Sequence, residues 1–289
     1  MDLTRLDPRS LKVSFRLPSI RDSQQFLFVS DIHIDNAQTD RQLFFRHMEQ
    51  AKAKGAPVCI FGDYFCAMQG KWDKRKSEKA LLPQHRGEDY LDLLVEESAE
   101  LLRPYAQNIL VISEGNHEFE VTNRHGVDLI QRLAQELKRD GSPVVVMPYE
   151  GWLCISAELN GKTRPKAEHC AVYYSHGYGG GGEATRGLLD QSRTRAMACA
   201  DIYISGHIHR QNLDVNVIEE LSPKGHPRYR RQLFLRSSTY KREVGGYHAR
   251  KGRGPRPLGG WWINYSSQRP NGRDSNRQLT WTAELTDGF

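Results

Sequence analysis

Apolar, β-branched runs recur along the chain: QFLFVS before Asp31, PVCIF before Gly62, NILVIS before Glu114, CAVYY before Ser175 and DIYIS before Gly206. Short runs of this kind predict strands. Between them the apolar spacing shifts to the helical period. Residues 39–54 predict a helix with Leu43, His47 and Ala51 on one face and Gly55 as its stop. Residues 89–105 predict another, striped by Leu91, Leu94, Val95, Leu101 and Leu102, and residues 126–139 a third, with Val127, Ile130, Leu133, Ala134 and Leu137 inward. A further helix is expected at about 184–199, and further strands at 143–147, 151–159, 169–175, 201–205, 211–218, 229–238 and 277–285. Asn160-Gly161 marks a hairpin turn, and residues 1–20 read as a strand and turn. Strands alternating with helices in both halves suit two packed sheets with helices outside.

At 289 residues the chain is long enough for one large domain or two small ones. Hydrophobic content of 38% and charged content of 26% suit a soluble globular protein. Five cysteines without a CxxC pair imply no disulfide framework, and Cys59, Cys154, Cys170 and Cys199, in apolar runs, read as core. The start MDLTRLDPRS lacks an apolar signal region, and no run reaches membrane-spanning length, so a reducing cytoplasm and no membrane partner are expected. The net charge of +6 fits a polyanionic partner such as nucleic acid, or simply a basic surface.

Two stretches concentrate that charge. Residues 64–87 contain KWDKRKSEK, and residues 240–262 read YKREVGGYHARKGRGPRPLGGWW. Either could grip a phosphodiester backbone, with Lys71, Lys74, Arg75 and His248 as candidate contacts. Their plainer readings are a solvated helix face and a loop anchored by buried Trp261 and Trp262. A third stretch, Gly-Tyr-Gly-Gly-Gly-Gly at 177–182, precedes a helix and could form an anion nest, bringing Gly179, Gly180 and Arg186 to a phosphate. His85 and His125 lie in segments that could approach such a site, whereas His47 reads as a solvated face.

The chemistry-bearing residues follow the five apolar runs: Asp31-Ile32-His33, Gly62-Asp63, Gly115-Asn116-His117-Glu118, Ser175-His176-Gly177 and Gly206-His207-Ile208-His209. Strand alternation would turn Asp31 and His33 to one side, and likewise His207 and His209. Gly62, Gly115 and Gly206 would let the backbone approach closely. Carboxylate, imidazole and amide donors without cysteine disfavour structural zinc and suit Mn, Fe or Zn in open coordination. Two ions about 3.5–4 Å apart need a shared carboxylate, and Asp63 is the natural one. Any one of these histidines alone would pass as an ordinary core or turn residue; five segments in order do not.

In these segments the chain resembles the calcineurin-like metallophosphoesterase superfamily, over roughly residues 26 to 210. The resemblance implies an α/β fold, a four-layer αββα sandwich of two mixed sheets, here taken as one domain over 1–289 with basic insertions at about 64–87 and 240–262. It implies one divalent ion held by Asp31, His33, Asp63 and His209, and a second held by Asp63, Asn116, His176 and His207. Mn is the first expectation, with Fe, Zn, Ni or Mg as alternatives. His117 is similar to the residue that protonates the leaving group, and Glu118 to the acid that accompanies it, a carboxylate that would keep the imidazole a proton donor. One departure is Cys66, where the family often carries an acid or amide in a supporting role; a buried filler is expected rather than a reactive thiol.

The expected activity is hydrolysis of phosphodiester bonds, in nucleic acid or nucleotides, by attack of a hydroxide bridging the two ions. A phosphomonoesterase acting on phosphoprotein or nucleotide is the alternative, and a non-catalytic scaffold of the same fold is a third reading.

Overall fold

The computed structural model describes residues 1–67, 82–85, 87, 89–160, 166–180, 182, 185, 187–245, 250, 252–270 and 277–288. Two mixed sheets stack face to face. The first has six strands: β3 (Ser23–Val29), β4 (Val58–Phe61), β5 (Ile109–Ser113) and β6 (Val145–Met147) run parallel, and β12 (Trp261–Gln268) and β13 (Gln278–Leu285) extend it antiparallel beyond β3. The second has seven, in the order β1 (Asp2–Asp7), β2 (Ser10–Leu17), β7 (Glu150–Leu159), β8 (Lys166–Ser175), β9 (Ile202–Ser205), β11 (Pro227–Arg236), β10 (Asn212–Leu221). β8, β9 and β11 are parallel neighbours.

Phe26, Phe28, Cys59, Phe61, Val111 and Ile263 of the first sheet meet Leu11, Val13, Leu153, Val172, Ile202 and Leu233 of the second, forming the central core. The first sheet's outer face is covered by α1 (Arg41–Ala53), α2 (Tyr90–Leu102), α3 (Asn116–His125) and α4 (Leu129–Arg139). Their apolar stripes are buried, including Leu43, Phe44, Leu94, Val95, Leu133 and Leu137. Asp40 and Asp128 cap α1 and α4 by accepting from the Leu43 and Gln131 amides. The second sheet's outer face carries α5 (Leu188–Met197), of which only Gln191 is buried. These are the four αββα layers.

Several local expectations change. His47 is fully buried, bonded through Nδ1 to the Tyr240 hydroxyl at 2.8 Å and facing the Asp287 carbonyl at 3.1 Å. It shares the stripe of Leu43 and Ala51, and burial pushes its pKa down. Cys199 is exposed and Cys154 only half-buried, unlike Cys59 and Cys170. α3 begins inside the Gly115–Glu118 motif, and β12 begins at the two tryptophans, where no strand was expected. The turn residue Gly161 and the segment KWDKRKSEK lie outside the described residues. Among the described residues, no helix is long and apolar enough to cross a membrane.

Candidate metal centre

The five motifs gather where β3, β4 and β5 of one sheet and β8 and β9 of the other end. Strand alternation does not aim the side chains. β3 stops at Val29 and β9 at Ser205, and the paired residues lie beyond them. Asp31 (φ 54°), His33 (51°), Asp63 (50°), His207 (70°) and His209 (52°) all adopt left-handed backbone. Each such residue without glycine costs about 1–3 kcal/mol and persists only where its surroundings impose it. The surroundings here are backbone bonds between the loops: Asp31 N–H to Gly62 O (3.1 Å), His33 N–H to Asp63 O (3.1 Å) and Gly206 N–H to His176 O (2.9 Å). Glycine is required where loops touch. A Cβ on Gly115 would fall 2.2 Å from Asp63 Oδ1, and one on Gly206 would fall 2.0 Å from Ser30 Oγ.

Two donor clusters result. In the first, ligand atoms of Asp31, His33 and His209 all lie within 4.8 Å of one another; in the second, those of Asp63, His176 and His207 do. His33 Nε2 is 3.1 Å from His209 Nε2, which is 3.3 Å from Asp31 Oδ1. His176 Nε2 is 3.2 Å from Asp63 Oδ2, and Asn116 Oδ1 lies 3.1 Å from His176 Nε2 and 2.7 Å from His207 Nδ1. The clusters adjoin, with His176 Nε2 4.0 Å from Asp31 Oδ1. Donors bound to one ion at about 2.1 Å stand about 3 Å apart, so these spacings fit divalent cations. The buried His33 Nδ1 has no hydrogen-bond partner among the described residues. All seven predicted ligands are thus brought together.

Burial and its neighbours set the electrostatics. Burial, then the charges of His117 and His209, holds His33 well below the ordinary imidazole range. Burial would raise Asp63, but His176 and His117 beside it hold its carboxyl far down. Burial opposes charge on His176 and His209, yet Asp63 raises the first to about 10, and Asp31 and Glu243 raise the second to about 9. An ion entering would displace those protons.

His117 lies at the rim, its Nε2 3.8 Å from Asp63 Oδ2. The structure corrects the expected partnership with Glu118. His117 Nδ1 faces the Cys66 carbonyl at 2.5 Å. The Glu118 carboxylate is buried behind it, accepting from the amides of Gly115 (2.9 Å), Phe65 (2.8 Å) and Asp63 (3.2 Å). Burial and the Asp63 charge push its pKa up. Its place at the third position of α3 explains this orientation, because a capping acid reaches back to the N-terminal amides.

Asp35 plays a matching part that sequence reasoning missed. Its buried carboxylate accepts from the amides of Cys66 (2.5 Å) and Ala67 (2.9 Å) and from the Tyr90 hydroxyl (2.9 Å). Its position two residues after His33 was the available signal. Cys66 is buried, accepts from Asn36 Nδ2 and stays a thiol, pushed up to about 12 by burial. Its Sγ nonetheless lies within 4.8 Å of ligand atoms of His33 and His117. Glu243 and Lys241 were also missed. Glu243 Oε1 is 2.6 Å from His209 Nδ1, and the Lys241 charge acts on both His33 and Cys66. Both come from a basic stretch read as a substrate loop.

Of the substrate candidates, Gly179 reaches the centre, but by its carbonyl, 3.1 Å from His207 Nε2. Gly180 accepts from the Gly182 amide. Lys71, Lys74, Arg75, Arg186 and His248 lie outside the described residues. His85 is buried against Glu97 of α2, and His125 is exposed at the end of α3.

The family profile described as calcineurin-like phosphoesterase matches residues 25–211. A comparison with curated proteins gave no match. Similar solved structures include a predicted phosphoesterase from Streptococcus pneumoniae, at 12% identity and TM-score 0.35, covering 91% of this chain and 99% of that one. Vps29 from Chaetomium thermophilum is 8% identical with TM-score 0.37, covering 91% and 98%. GAP50 from Plasmodium is 11% identical with TM-score 0.42, covering 92% and 86%.

Proposed function

The chain belongs to the calcineurin-like phosphoesterase family, and from that premise we propose that it is a divalent-metal phosphodiesterase acting on nucleic acid or nucleotides. The observation that carries the reading is the convergence of five motifs into two donor clusters, Asp31–His33–His209 and Asp63–His176–His207, which adjoin through His176 and Asp31. In this reading Asp31, His33, Asp63 and His209 hold one ion, and Asp63, Asn116, His176 and His207 the other. Oxygen and imidazole donors without thiolate suit Mn first. Bound there, divalent ions acidify coordinated water and neutralise charge on phosphoryl oxygens.

The chain's own residues orient substrate and move the proton. With Nδ1–H donating to the Cys66 carbonyl, a second proton on Nε2 makes the His117 ring cationic. The Asp63 carboxylate lies 3.8 Å from that nitrogen. The Nε2 proton is the one delivered to the departing oxygen. Asp35 and Glu118 hold the 63–67 loop that carries both Asp63 and the Cys66 carbonyl, so they fix the angle between donor and acid. Lys241 adds positive charge beside His33, where a phosphate would sit.

The net charge of +6 and the basic stretches 64–87 and 240–262 support a polyanionic diester over a small monoester. The test is hydrolysis, with Mn present, of bis-p-nitrophenyl phosphate, p-nitrophenyl phosphate and labelled oligonucleotides. Faster diester than monoester turnover, with oligonucleotide cleavage, is expected. Faster monoester turnover with intact oligonucleotides would overturn the diester preference. No turnover of any substrate would overturn the enzyme reading.

A further inference from the structure

We propose that Glu243 is a positioning residue that seats His209 and strengthens ion binding selectively at the Asp31–His33–His209 cluster. The inference rests on the metal-centre reading above. Glu243 is 7% exposed, and its Oε1 lies 2.6 Å from His209 Nδ1. Arg256, 6% exposed, places Nε 3.7 Å from Glu243 Oε2. An ionised carboxylate only accepts hydrogen bonds, so the shared proton sits on Nδ1, which leaves Nε2 as the nitrogen that would meet an ion. That nitrogen faces Asp31 Oδ1 at 3.3 Å and His33 Nε2 at 3.1 Å.

The other imidazoles of the centre are backed differently. His176 Nδ1 faces the Phe61 carbonyl at 3.0 Å and His207 Nε2 faces the Gly179 carbonyl. A carboxylate behind a ligating imidazole fixes its orientation and raises its basicity more than a neutral carbonyl does. Among the described residues, one cluster therefore receives anionic support that the other lacks.

The chain commits considerable structure to this carboxylate. Tyr240 N–H donates to the Asp31 carbonyl and Arg242 N–H to the Gln38 carbonyl, Lys241 bridges to Thr39, and Arg242 pairs with Asp40. Arg256 is returned by the Thr239–Leu258 bridge and the Ser238–Pro257 hydrogen bond. The start of the basic 240–262 stretch is thus sewn to the loop that carries Asp31 and His33.

The test is Mn²⁺ titration of the full chain by calorimetry, for wild type, Glu243→Ala, Glu243→Gln, His209→Ala and Glu243→Ala/His209→Ala. Wild type is expected to bind two ions. Glu243→Ala should weaken one of them by about 10–100-fold and leave the other within about twofold. Glu243→Gln, which keeps an acceptor oxygen, should fall between, and it is the variant to read if Glu243→Ala does not fold. In the His209→Ala background, Glu243→Ala should add nothing. Two unchanged ions in Glu243→Ala, equal weakening of both, or additive losses in the double variant would overturn the inference alone. A wild type that takes up no Mn²⁺ would overturn the metal-centre reading as well.

Discussion

The two sheets bring opposite kinds of edge to the candidate centre. The six-stranded sheet delivers Asp31, His33, Asp63 and Asn116 from loops whose amides are held by buried carboxylates, Glu118 on Gly115, Asp63 and Phe65, and Asp35 on Cys66 and Ala67. Four helices press apolar stripes onto that sheet's outer face. The seven-stranded sheet delivers His176, His207 and His209 beside the glycine-rich 177–182 segment, under α5, which leaves Leu188, Leu189 and Met197 exposed. The lesson is a division of labour. The edge that carries the acids is braced by those buried carboxylates, whereas left-handed backbone occurs on both edges, at Asp31, His33 and Asp63 on one and at His207 and His209 on the other. The edge that carries imidazoles lies under a more open surface.

Asp63 is where the contrast should break most completely, since it meets His176 from one sheet and the His117 amide from the other, and it is the carboxylate proposed to serve both ions. Asp63→Asn is expected to abolish turnover and leave at most about one ion per chain, read by metal analysis after dialysis. Full activity with two ions would remove Asp63 as the joint. Next in size is His117→Ala, expected to cost about 10²–10⁴ in turnover with both ions retained. Loss of an ion instead would make His117 a ligand.

The bracing predicts stability effects confined to one side. Glu118→Ala strands three buried amides, and each unsatisfied group costs about 1–3 kcal/mol. A loss of about 3 kcal/mol or more in chemical denaturation is expected, with Glu118→Gln milder. A neutral effect would mean that water replaces the carboxylate and the edge is less braced than its hydrogen bonds imply.

Glu118 also marks how far the sequence could be read. The strands were readable because β-branched runs have little else to become, and the ligands because their residue types recur at the run ends. α3 was not, because GNHE reads as a loop motif when its cap lies inside the motif. The left-handed φ values at five ligands were not, since non-glycine residues adopt them only under tertiary constraint. Glu243 was hidden by distance: it sits 34 residues from His209 in a stretch whose composition points to substrate. His47 was misread because its polar sequence neighbours outweighed the helical stripe it shares with Leu43 and Ala51.

The smallest expected effect sharpens the comparison from the open side. Leu133 of α4 is fully buried against the first sheet's helices, and Leu133→Ala should cost about 2–5 kcal/mol. Leu189 of α5 is 58% exposed, and Leu189→Ala should fall within about 0.5 kcal/mol of wild type. The same truncation on two outer layers thus separates packing that the fold needs from cover that it does not. Were Leu189→Ala to destabilise by as much as Leu133→Ala, α5 would be carrying load through a contact its exposure denies. The contrast between a braced edge and an open one would then no longer hold.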